Sequence, residues 1–364
     1  MKAQRDGRDI DPAVGVLRGE GALQRVKHLG PERPMPGADR LRDSTSETDT
    51  YYGLPALKEP VWRASIPAYF YVGGLAGAAA VLSAAAQLGG DPRLRGLVRR
   101  GRLLALGGAA VSGGLLIEDL GRPARFLAML RIFRPSSPMS VGTWVLSAFG
   151  AAAAAAALPQ ALGAAGARPS RAIGTALEQA AALGGIAAGL LGMPLCGYTG
   201  VLLANTAVPV WQGAHRTLPP LFVSAAASSA QAALEPLAKS EVEARVLHRF
   251  GVVGKLAELA AMRALEREVG RSPRAAAPLH RGVAGALWKS AKALTAASLA
   301  LTLLPGRGRA LPVRLRRWKP LAAAALATAG SLCLRFAVVE AGRASARDPR
   351  ATFEPQRARL ADRG

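Results

Sequence analysis

Two adjacent carboxylates in the first half of the sequence could carry proton-transfer chemistry. Glu118 and Asp119 end an apolar run of residues, and Arg122 and Arg125 follow them before the next apolar run begins. Ionisable groups at the edge of a membrane segment are costly, so they tend to pair with opposite charges or to handle protons and ligands. Arg122 lies one helical turn after the acids, near enough to neutralise them.

The sequence leaves two interpretations of this charged cluster open. One is an ion-paired helix terminus that fixes a loop, and the other is a polar rim around a ligand mouth or a docking surface. The uncharged residues 103–117 would rise only about 22 Å as a helix, less than the bilayer core of about 30 Å. We therefore expect an undersized helix that draws Glu118 and Asp119 into the membrane edge.

Polar residues inside later apolar segments form a second candidate site. Four of them recur on one helix face, namely Ser224, Ser228, Gln231 and Glu235. Lys255 and Glu258 lie three residues apart in the next segment. These residues predict either interhelical contacts with a buried ion pair, or a proton path through Gln231, Glu235, Lys255 and Glu258. Lys289 and Lys292 would extend their amines to the interface or add to such a path.

The elements that position these residues are predicted to be membrane helices. The chain has 364 residues, of which 50% are hydrophobic, and a formal net charge of +23. Charged residues are absent from residues 65–88, 135–167 and 179–214, and a helix of roughly 20 apolar residues crosses a bilayer. Basic residues in a membrane protein gather in loops near anionic lipid, which explains the positive charge. The sequence has no zinc-finger, RRM or basic-zipper pattern, so we exclude nucleic acid as a partner.

We predict an all-α, polytopic membrane protein with about eight transmembrane helices in two four-helix bundles. The predicted spans are residues 65–88, 103–120, 141–163, 180–204, 218–234, 246–262, 283–304 and 321–339. The fourth should kink at Pro194 and unwind near residues 205–211, leaving along the interface where Trp211 is a candidate anchor. Residues 1–50 are expected to be a disordered polar tail, and residues 349–364 a polar C-terminal tail.

The residues exclude two kinds of redox centre in this chain. Its two cysteines, Cys196 and Cys333, are far apart and form no CxxC, so we expect no iron–sulfur cluster. The four histidines do not pair at helical spacing within a span, so we expect no haem. We also expect no metal site.

Loop charges predict the orientation in the membrane. Residues 91–102 hold five arginines, and residues 305–320 hold five arginines and a lysine. The positive-inside rule places both in the cytoplasm, so that the 118–140 loop and both termini lie outside the cell membrane.

Three motifs carry a resemblance to a known family. These are EDLGRPARF beginning at Glu118, SPMSVGTWVLS beginning at Ser137, and YTGVLLANTAVPVWQGA beginning at Tyr198. In this order and spacing they resemble the NrfD family, which is similar to the polysulfide reductase membrane subunit. The resemblance covers residues 51–348, the predicted transmembrane domain.

The resemblance implies a subunit that exchanges electrons between quinones and an iron–sulfur partner. The quinone, menaquinone or another, would bind in the first bundle, where Tyr198 matches the family's YTG tyrosine and donates a hydrogen bond. Glu118, Asp119 and Arg122 would line the same cavity. Some members place a histidine on the first helix, where this sequence offers Tyr69 or Tyr71.

The resemblance also implies partner subunits besides membrane lipid. A ferredoxin-like four-cluster iron–sulfur subunit would dock on Arg122, Arg125 and Arg131, and a molybdopterin catalytic subunit would complete the complex. Two rival functions remain open at this point. One is a proton-coupled secondary transporter that uses Lys255, Glu258, Lys289 and Lys292, and the other is a purely structural membrane anchor.

Overall fold

The computed structural model describes residues 9–10, 17–18, 57–121, 123–166, 169–304 and 313–353. The chain divides into two compact units, Met1–Leu54 and Pro55–Gly364. In the first unit, strand β1 (Asp9–Ile10) pairs antiparallel with strand β2 (Leu17–Arg18). The rest of the predicted N-terminal tail lies outside the described residues, as do residues 354–364 of the predicted C-terminal tail.

The described part of the second unit is helical. Two short 3-10 helices, Pro92–Leu94 and Glu235–Leu237, accompany eleven α-helices within the described ranges. These are α1 (Ser65–Leu88), α2 (Arg95–Leu120), α3 (Pro123–Met129), α4 (Pro138–Ala164), α5 (Arg171–Ala204), α6 (Pro209–Gly213), α7 (Leu218–Leu234), α8 (Glu241–Val269), α9 (Pro273–His280), α10 (Gly282–Leu303) and α11 (Val313–Arg347).

The predicted all-α, multi-pass membrane architecture is confirmed. Among the described residues, five segments are long and apolar enough to cross a membrane, namely Ser65–Leu88, Pro92–Leu120, Pro138–Ala164, Arg171–Ala204 and Trp318–Arg347. Helices α7, α8 and α10 are the other three long helices at the predicted positions. α7 has only 17 residues, and α8 and α10 carry charges within their apolar stretches.

The long helices pack as two groups of four. The first bundle contains α1, α2, α4 and α5, and the second contains α7, α8, α10 and α11, with α1 also packed against α7 and α11. Small residues bring the helices close together in the first bundle. A Cβ atom built on Gly77 of α1 would lie 2.7 Å from the carbonyl oxygen of Gly192 on α5, so these backbones touch where neither residue has a side chain.

Helix α2 is not undersized, which corrects the sequence-based prediction. It begins at Arg95, eight residues before the predicted start, and its 26 residues extend about 39 Å. Its first turns include Arg102, which is 9% exposed and donates hydrogen bonds to Gln87 Oε1 at 2.7 Å and to the Ala156 carbonyl at 3.2 Å. These partners bond Nη1 and Nη2, while Nε has no partner among the described atoms, and the helix continues through residues that the charge pattern assigned to a loop.

The segment after α5 unwinds as predicted, but it does not run along the interface. α5 continues through Pro194 and ends at Ala204, and α6 follows after a short connection. Trp211 of α6 is only 1% exposed, its ring stacks on Trp62 with centroids 5.5 Å apart, and its Nε1 donates to the Val338 carbonyl at 2.8 Å. Trp211 therefore belongs to the core, and its interpretation as an interfacial anchor was wrong.

Candidate functional site

One end of the first bundle gathers most of the residues singled out from the sequence. α1 and α4 begin at this end, whereas α2 and α5 finish there, because consecutive helices of the bundle run in opposite directions. Glu118 and Asp119 lie in the last turn of α2, and Tyr198 lies two turns before the end of α5. We call this the upper end of the bundle.

The two acids at the upper end contact an arginine that the sequence pattern did not predict as their partner. Arg63, just before α1, places its Nη1 3.7 Å from Glu118 Oε1, and its backbone N–H donates to Asp119 Oδ1 at 3.1 Å. Arg125 instead donates to the Leu120 carbonyl at 3.4 Å, and Arg122 lies outside the described residues. Since the side chains of the Arg63–Glu118 pair are 70% and 55% exposed, the pair contributes little stability.

Tyr198 lies between α5 and the start of α4. Its hydroxyl donates a hydrogen bond to the Pro138 carbonyl oxygen, in the first turn of α4. Its ring lies directly against Gly142, where a Cβ atom would come within 2.1 Å of the tyrosine Cζ. The geometry corresponds to a tyrosine bonded to a neighbouring backbone, which was one of the interpretations that the sequence allowed.

Tyr69 of α1 and Ser112 of α2 lie together one layer below the acids, and Tyr198 is near Tyr69. Gly73 is in contact with both, since a Cβ atom there would be 3.5 Å from Ser112 Oγ and 3.5 Å from Tyr69 Cε2. Tyr69 and Tyr198 are near enough to interact electrostatically. Ser112 is fully buried, and its hydroxyl has no hydrogen-bond partner among the described atoms. We call Tyr69, Ser112 and Tyr198 the tyrosine layer.

The tyrosine layer is too far from Glu118 and Asp119 along the bundle axis for a direct contact. Ser112 precedes Glu118 by six residues on the same helix, which corresponds to about 9 Å along its axis. The hydrogen bonds and ion pairs described for Glu118, Asp119 and Tyr198 do not join the acids to the tyrosine. The structure thus places these residues at the same end of the bundle but in separate layers.

A pocket of about 530 Å³ lies beside the upper end of α5, away from the acids. It is lined by Val201, Ala204, Asn205, Gln212, His215 and Pro219. Its polar side chains come from the connection between α5 and α7, where Asn205 Nδ2 donates to the Val201 carbonyl at 2.8 Å. The His215 Nδ1 lies 3.0 Å from the Gln212 carbonyl oxygen and 3.8 Å from Glu268 Oε1. We call this the α5–α7 pocket.

The α5–α7 pocket was not predicted from the sequence. His215 was considered only as a haem ligand, and Asn205 and Gln212 were not singled out, although both belong to the motif that begins at Tyr198. The signal that was available is the placement of two amides and an imidazole where the apolar run ends. Such groups fix the orientation of a ligand in an otherwise apolar pocket.

An exposed surface with apolar and basic side chains covers the connection between α2 and α4. Leu127 is 65% exposed, Ile132 61% and Phe133 55%, and the exposed Arg125 and Arg131 flank them. Exposed apolar side chains rimmed by charge are typical of protein–protein and of membrane contact sites. We call these five residues the α3 surface. It includes two of the three arginines predicted to dock a partner.

The residues of the predicted proton path lie in the second bundle. Lys255, Glu258 and Gln231 are at most 1% exposed, and Gln231 Nε2 donates to Glu235 at the end of α7. The expected ion pair between Lys255 and Glu258 is absent from the ion pairs that the structure describes, since Lys255 Nζ donates instead to Thr302 Oγ1 at 3.0 Å.

The two lysines of α10 have different surroundings from Lys255. Lys289 is exposed, and Lys292 Nζ lies 2.6 Å from Glu266 Oε1. Glu266 also accepts a hydrogen bond from Trp288 Nε1 at 2.7 Å. The pair of Lys292 and Glu266 is therefore separate from the contacts of Lys255.

Comparison with known proteins identifies one family. A family model described as "Polysulphide reductase, NrfD" matches residues 54–346, which is most of the chain. The match contains the tyrosine layer, the α3 surface, the α5–α7 pocket and the eight long helices, except for Arg347 at the end of α11. None of the curated proteins that were compared matches the chain.

Proposed function

Because the chain belongs to the NrfD, or polysulphide reductase, family, whose members are membrane subunits of quinone-interacting oxidoreductase complexes, we propose that it exchanges electrons between the quinone pool and an iron–sulfur partner subunit. The observation that carries this proposal is the α5–α7 pocket, which lies at the same end of the molecule as the α3 surface. A partner docked at that end would bring its redox centre close to a quinone in the pocket.

The α5–α7 pocket suits a quinone head group in size and in chemistry. Ligand pockets usually have volumes of about 300–1,000 Å³ and combine apolar walls with a few polar groups. Here Val201, Ala204 and Pro219 supply apolar walls, while Asn205 and His215 supply polar groups. A bound quinone would supply the reversible acceptance of two electrons and two protons, and menaquinone or another quinone would fit this role.

The hydrogen bonds of His215 indicate which of its nitrogens would face a ligand. If Nδ1 carries the proton and donates it to the Gln212 carbonyl at 3.0 Å, Nε2 is left as an acceptor. An acceptor nitrogen can receive a proton from a quinol hydroxyl group. Glu268 Oε1, 3.8 Å from Nδ1, would stabilise the charged imidazole that results.

The tyrosine layer is the competing placement for the head group. In the proposal drawn from the resemblance, Tyr198 and Tyr69 hydrogen-bond the quinone, Glu118 or Asp119 exchanges the proton at the mouth, and Arg122 helps to line the cavity. A quinone there would have to replace the Pro138 carbonyl as the partner of the Tyr198 hydroxyl. The α5–α7 pocket needs no such rearrangement, so the geometry favours it.

The α3 surface is proposed to dock the iron–sulfur subunit. Leu127, Ile132 and Phe133 would form the apolar centre of the contact, and Arg125 and Arg131 would attract acidic groups at its rim. Arg122 belongs to the same proposal by sequence. The partner is proposed to be a ferredoxin-like four-cluster protein, which would pass electrons to or from a molybdopterin catalytic subunit.

We also propose that the complex lies in the cell membrane with the α3 surface outside. The basic residues of the 91–102 segment lie at the opposite end of the first bundle, and by the positive-inside rule they and the basic residues of the 305–320 segment would face the cytoplasm. A reporter that is active only in the cytoplasm, fused at residue 168 or at residue 134, measures this orientation. Activity of the fusion at 134 would contradict it.

The proposed placement is tested by measuring quinol oxidation by the purified complex with His215→Ala and with Tyr198→Phe. If the head group binds in the α5–α7 pocket, His215→Ala should lower kcat/KM by about tenfold or more, while Tyr198→Phe should change it by less than about threefold. The opposite ranking would place the quinone in the tyrosine layer. If neither variant loses turnover and no quinone analogue binds to this chain, the structural anchor is the better interpretation.

The transporter alternative receives less support from the geometry. It requires Lys255, Glu258, Lys289 and Lys292 to line one path, but Lys289 is exposed and Lys292 pairs with Glu266. Solute uptake by vesicles that contain this chain without any redox partner would support a transporter and contradict the redox proposal.

A further inference from the structure

The outer surface of the second bundle carries basic side chains within an apolar face. They come from α8 and α10, and we call them the cationic cluster: Arg263, Arg267, Lys289 and Lys292. Three of them are exposed, and the side chain of Lys292 is 33% exposed. Glu268, in the last turn of α8, contacts His215 of the α5–α7 pocket, so the cluster lies toward the same end of the molecule as that pocket.

Two hydrogen bonds between α8 and α10 show that the cations of both helices lie at one depth. Glu258 Oε1 accepts from Thr295 Oγ1 at 3.4 Å, and Glu266 Oε1 accepts from Trp288 Nε1 at 2.7 Å. These contacts fix the register of the two antiparallel helices. Arg263 of α8 therefore lies between the levels of residues 289 and 292 of α10, which are the two lysines of the cluster.

A single carboxylate holds one member of the cationic cluster in place. Glu266 Oε1 lies 2.6 Å from Lys292 Nζ and also accepts the hydrogen bond from Trp288, whose ring is fully buried. The side chain of Glu266 is only 16% exposed, so this pair is partly shielded from solvent. The contact ties the base of the cluster to the core of the bundle.

The other three cations have no anionic partner in the part of the chain that the structure describes. No ion pair or side-chain hydrogen bond there involves Arg263, Arg267 or Lys289. Glu268, the next carboxylate along α8, instead accepts a hydrogen bond from Thr217 Oγ1 at 2.6 Å. Arg263 and Arg267 are one helical turn apart, and like charges at this spacing repel each other. The cluster is therefore a site of uncompensated positive charge.

The cationic cluster shortens the apolar surface that α8 exposes. Between Arg249 and Arg263 the exposed positions of this helix are all apolar, namely Val253, Leu256, Ala257 and Ala260. The two arginines are 14 residues apart, which is about 21 Å along the helix axis, whereas a bilayer core is about 30 Å thick. At least one of the two arginines therefore lies within the depth that acyl chains normally fill.

Helix α10 has the same short apolar surface. Lys289 precedes the end of α10 at Leu303 by 14 residues, again about 21 Å, and the exposed positions between them carry no charge. By contrast, α1 of the first bundle is free of charge over 24 residues, or about 36 Å. Cations at membrane depth are costly unless they meet an anion, so the shared level on α8 and α10 indicates that an anion binds there.

Most of the exposed positions below the cationic cluster are alanines. They are Ala257 and Ala260 of α8 and Ala293, Ala296, Ala297 and Ala300 of α10. Such small side chains let an extended hydrocarbon chain lie close to both helices, where it gains dispersion contacts. The surface therefore has positive charge above and room for acyl chains below, which is the arrangement that complements a phospholipid.

We propose that the cationic cluster binds the phosphate group of an anionic phospholipid whose acyl chains lie along these alanines. The Lys289 amine and the Arg263 guanidinium donate hydrogen bonds to phosphate oxygens, and Lys292, held by Glu266, adds its charge. Phosphatidylglycerol has the net negative charge that this site requires, whereas the choline of phosphatidylcholine neutralises its own phosphate. The proposal does not depend on the quinone function.

A second membrane protein is the competing occupant of this surface. It would have to supply carboxylates at the depth of Arg263 and Lys289, and acidic side chains inside a membrane are costly for the partner as well. A lipid phosphate already lies at the boundary of the hydrocarbon core, so it meets the cations without that cost. The charge and depth of the cluster therefore fit a lipid better than a protein.

Photocrosslinking in vesicles tests which lipid lies below the cluster. The full chain carries a diazirine amino acid in place of Ala293, one turn below Lys289, and is reconstituted with equal amounts of phosphatidylglycerol and phosphatidylcholine. Mass spectrometry of the adducts should show a preference for phosphatidylglycerol of about fivefold or more. The control is the same probe in place of Leu190, which is 61% exposed on the uncharged part of α5 and should react with both lipids equally. Equal reaction at residue 293 would overturn the proposal.

Removal of the cations tests whether the cluster causes this preference. Arg263→Gln together with Lys289→Gln should abolish the preference at residue 293, while the total yield of lipid adducts stays the same. Arg216→Gln together with Arg281→Gln removes the same charge from exposed positions outside the cluster and should leave the preference intact. A preference that survives the first pair, or that falls equally with the second, would show that no defined site exists and would overturn the proposal.

The competing occupant is tested in native membranes. The probe at residue 293 is activated in cells that produce the full chain, and its adducts are separated by mass. Lipid adducts are expected there too, because the proposed site faces the membrane. A protein adduct would assign this surface to a neighbouring subunit and would overturn the lipid site.

Discussion

The aromatic ring of Tyr198 lies against Gly142 so closely that a single methyl group at residue 142 would overlap its Cζ atom at 2.1 Å. This contact joins α5 to the first turns of α4 and directs the tyrosine hydroxyl to the Pro138 carbonyl. The pair therefore fixes the geometry of the tyrosine layer, in which α1 and α2 also take part.

Gly142→Ala should displace the Tyr198 ring and loosen the upper end of the first bundle. Overpacking of a buried contact costs about 1–3 kcal/mol, so the purified protein should unfold at a lower temperature. Thermal unfolding in detergent measures the effect. Gly150→Ala in the same helix is the control, because its Cβ atom would meet only Ala109 Cβ at 3.9 Å. Equal stability of the two variants would contradict the prediction.

Trp211 should contribute more to stability through packing than through its hydrogen bond. Trp211→Phe removes the donor to the Val338 carbonyl and should cost about 0.5–1.5 kcal/mol, the net value of one hydrogen bond, since that carbonyl stays in the backbone ladder of α11. Trp211→Ala should cost about 3–5 kcal/mol, because it also leaves a cavity beneath Trp62. Denaturant unfolding of both variants tests this order. A smaller loss for the alanine variant would show that the α6 segment is not part of the core.

Charge reversal on the α3 surface should weaken binding of the iron–sulfur partner. Arg131→Glu removes an attraction at the rim of the proposed contact, so the affinity should fall by about tenfold at low salt and by less at high salt. Binding of the partner to the immobilised chain measures the change. Arg171→Glu, at the exposed start of α5 on the opposite end, should leave the affinity unchanged. An equal loss in both variants would point to a general charge effect.

The ion pair between Glu59 and Arg347 should make stability depend on pH. Arg347 donates hydrogen bonds of 2.8 Å and 2.5 Å to Glu59, and this guanidinium lowers the pKa of the carboxyl group below its ordinary value of 4.5. A lowered carboxyl pKa stabilises the fold above the unfolded value, and the stabilisation is lost as pH falls through the folded value.

Comparison of wild type with Glu59→Gln tests this pH dependence. Near neutral pH the wild type should unfold at a higher temperature than Glu59→Gln. This difference should disappear as the pH falls through the acid range below 4.5. A difference that persists unchanged at acid pH would mean that Glu59 acts through packing and not through its charge.

The membrane helices could be predicted from the sequence because crossing a bilayer demands a local property, a continuous apolar length. For that reason the spans at α1 and α4 were predicted to within a few residues. The start of α2 was missed because Arg102 is hydrogen-bonded inside the bundle by residues distant in sequence, Gln87 and Ala156, which no local pattern reveals.

The partners of the polar groups were decided by tertiary structure alone. Glu118 meets Arg63, which is separated from it by more than fifty residues, and Tyr198 meets the Pro138 carbonyl across a glycine. Likewise, Asn205 and His215 line the same pocket only because α6 turns the chain back beside α5. The sequence by itself determined the family, the helices and the polar residue types, since these depend on local composition and spacing. Which of those residues face each other depends on where small side chains let helices approach, and that is a property of the packed bundle.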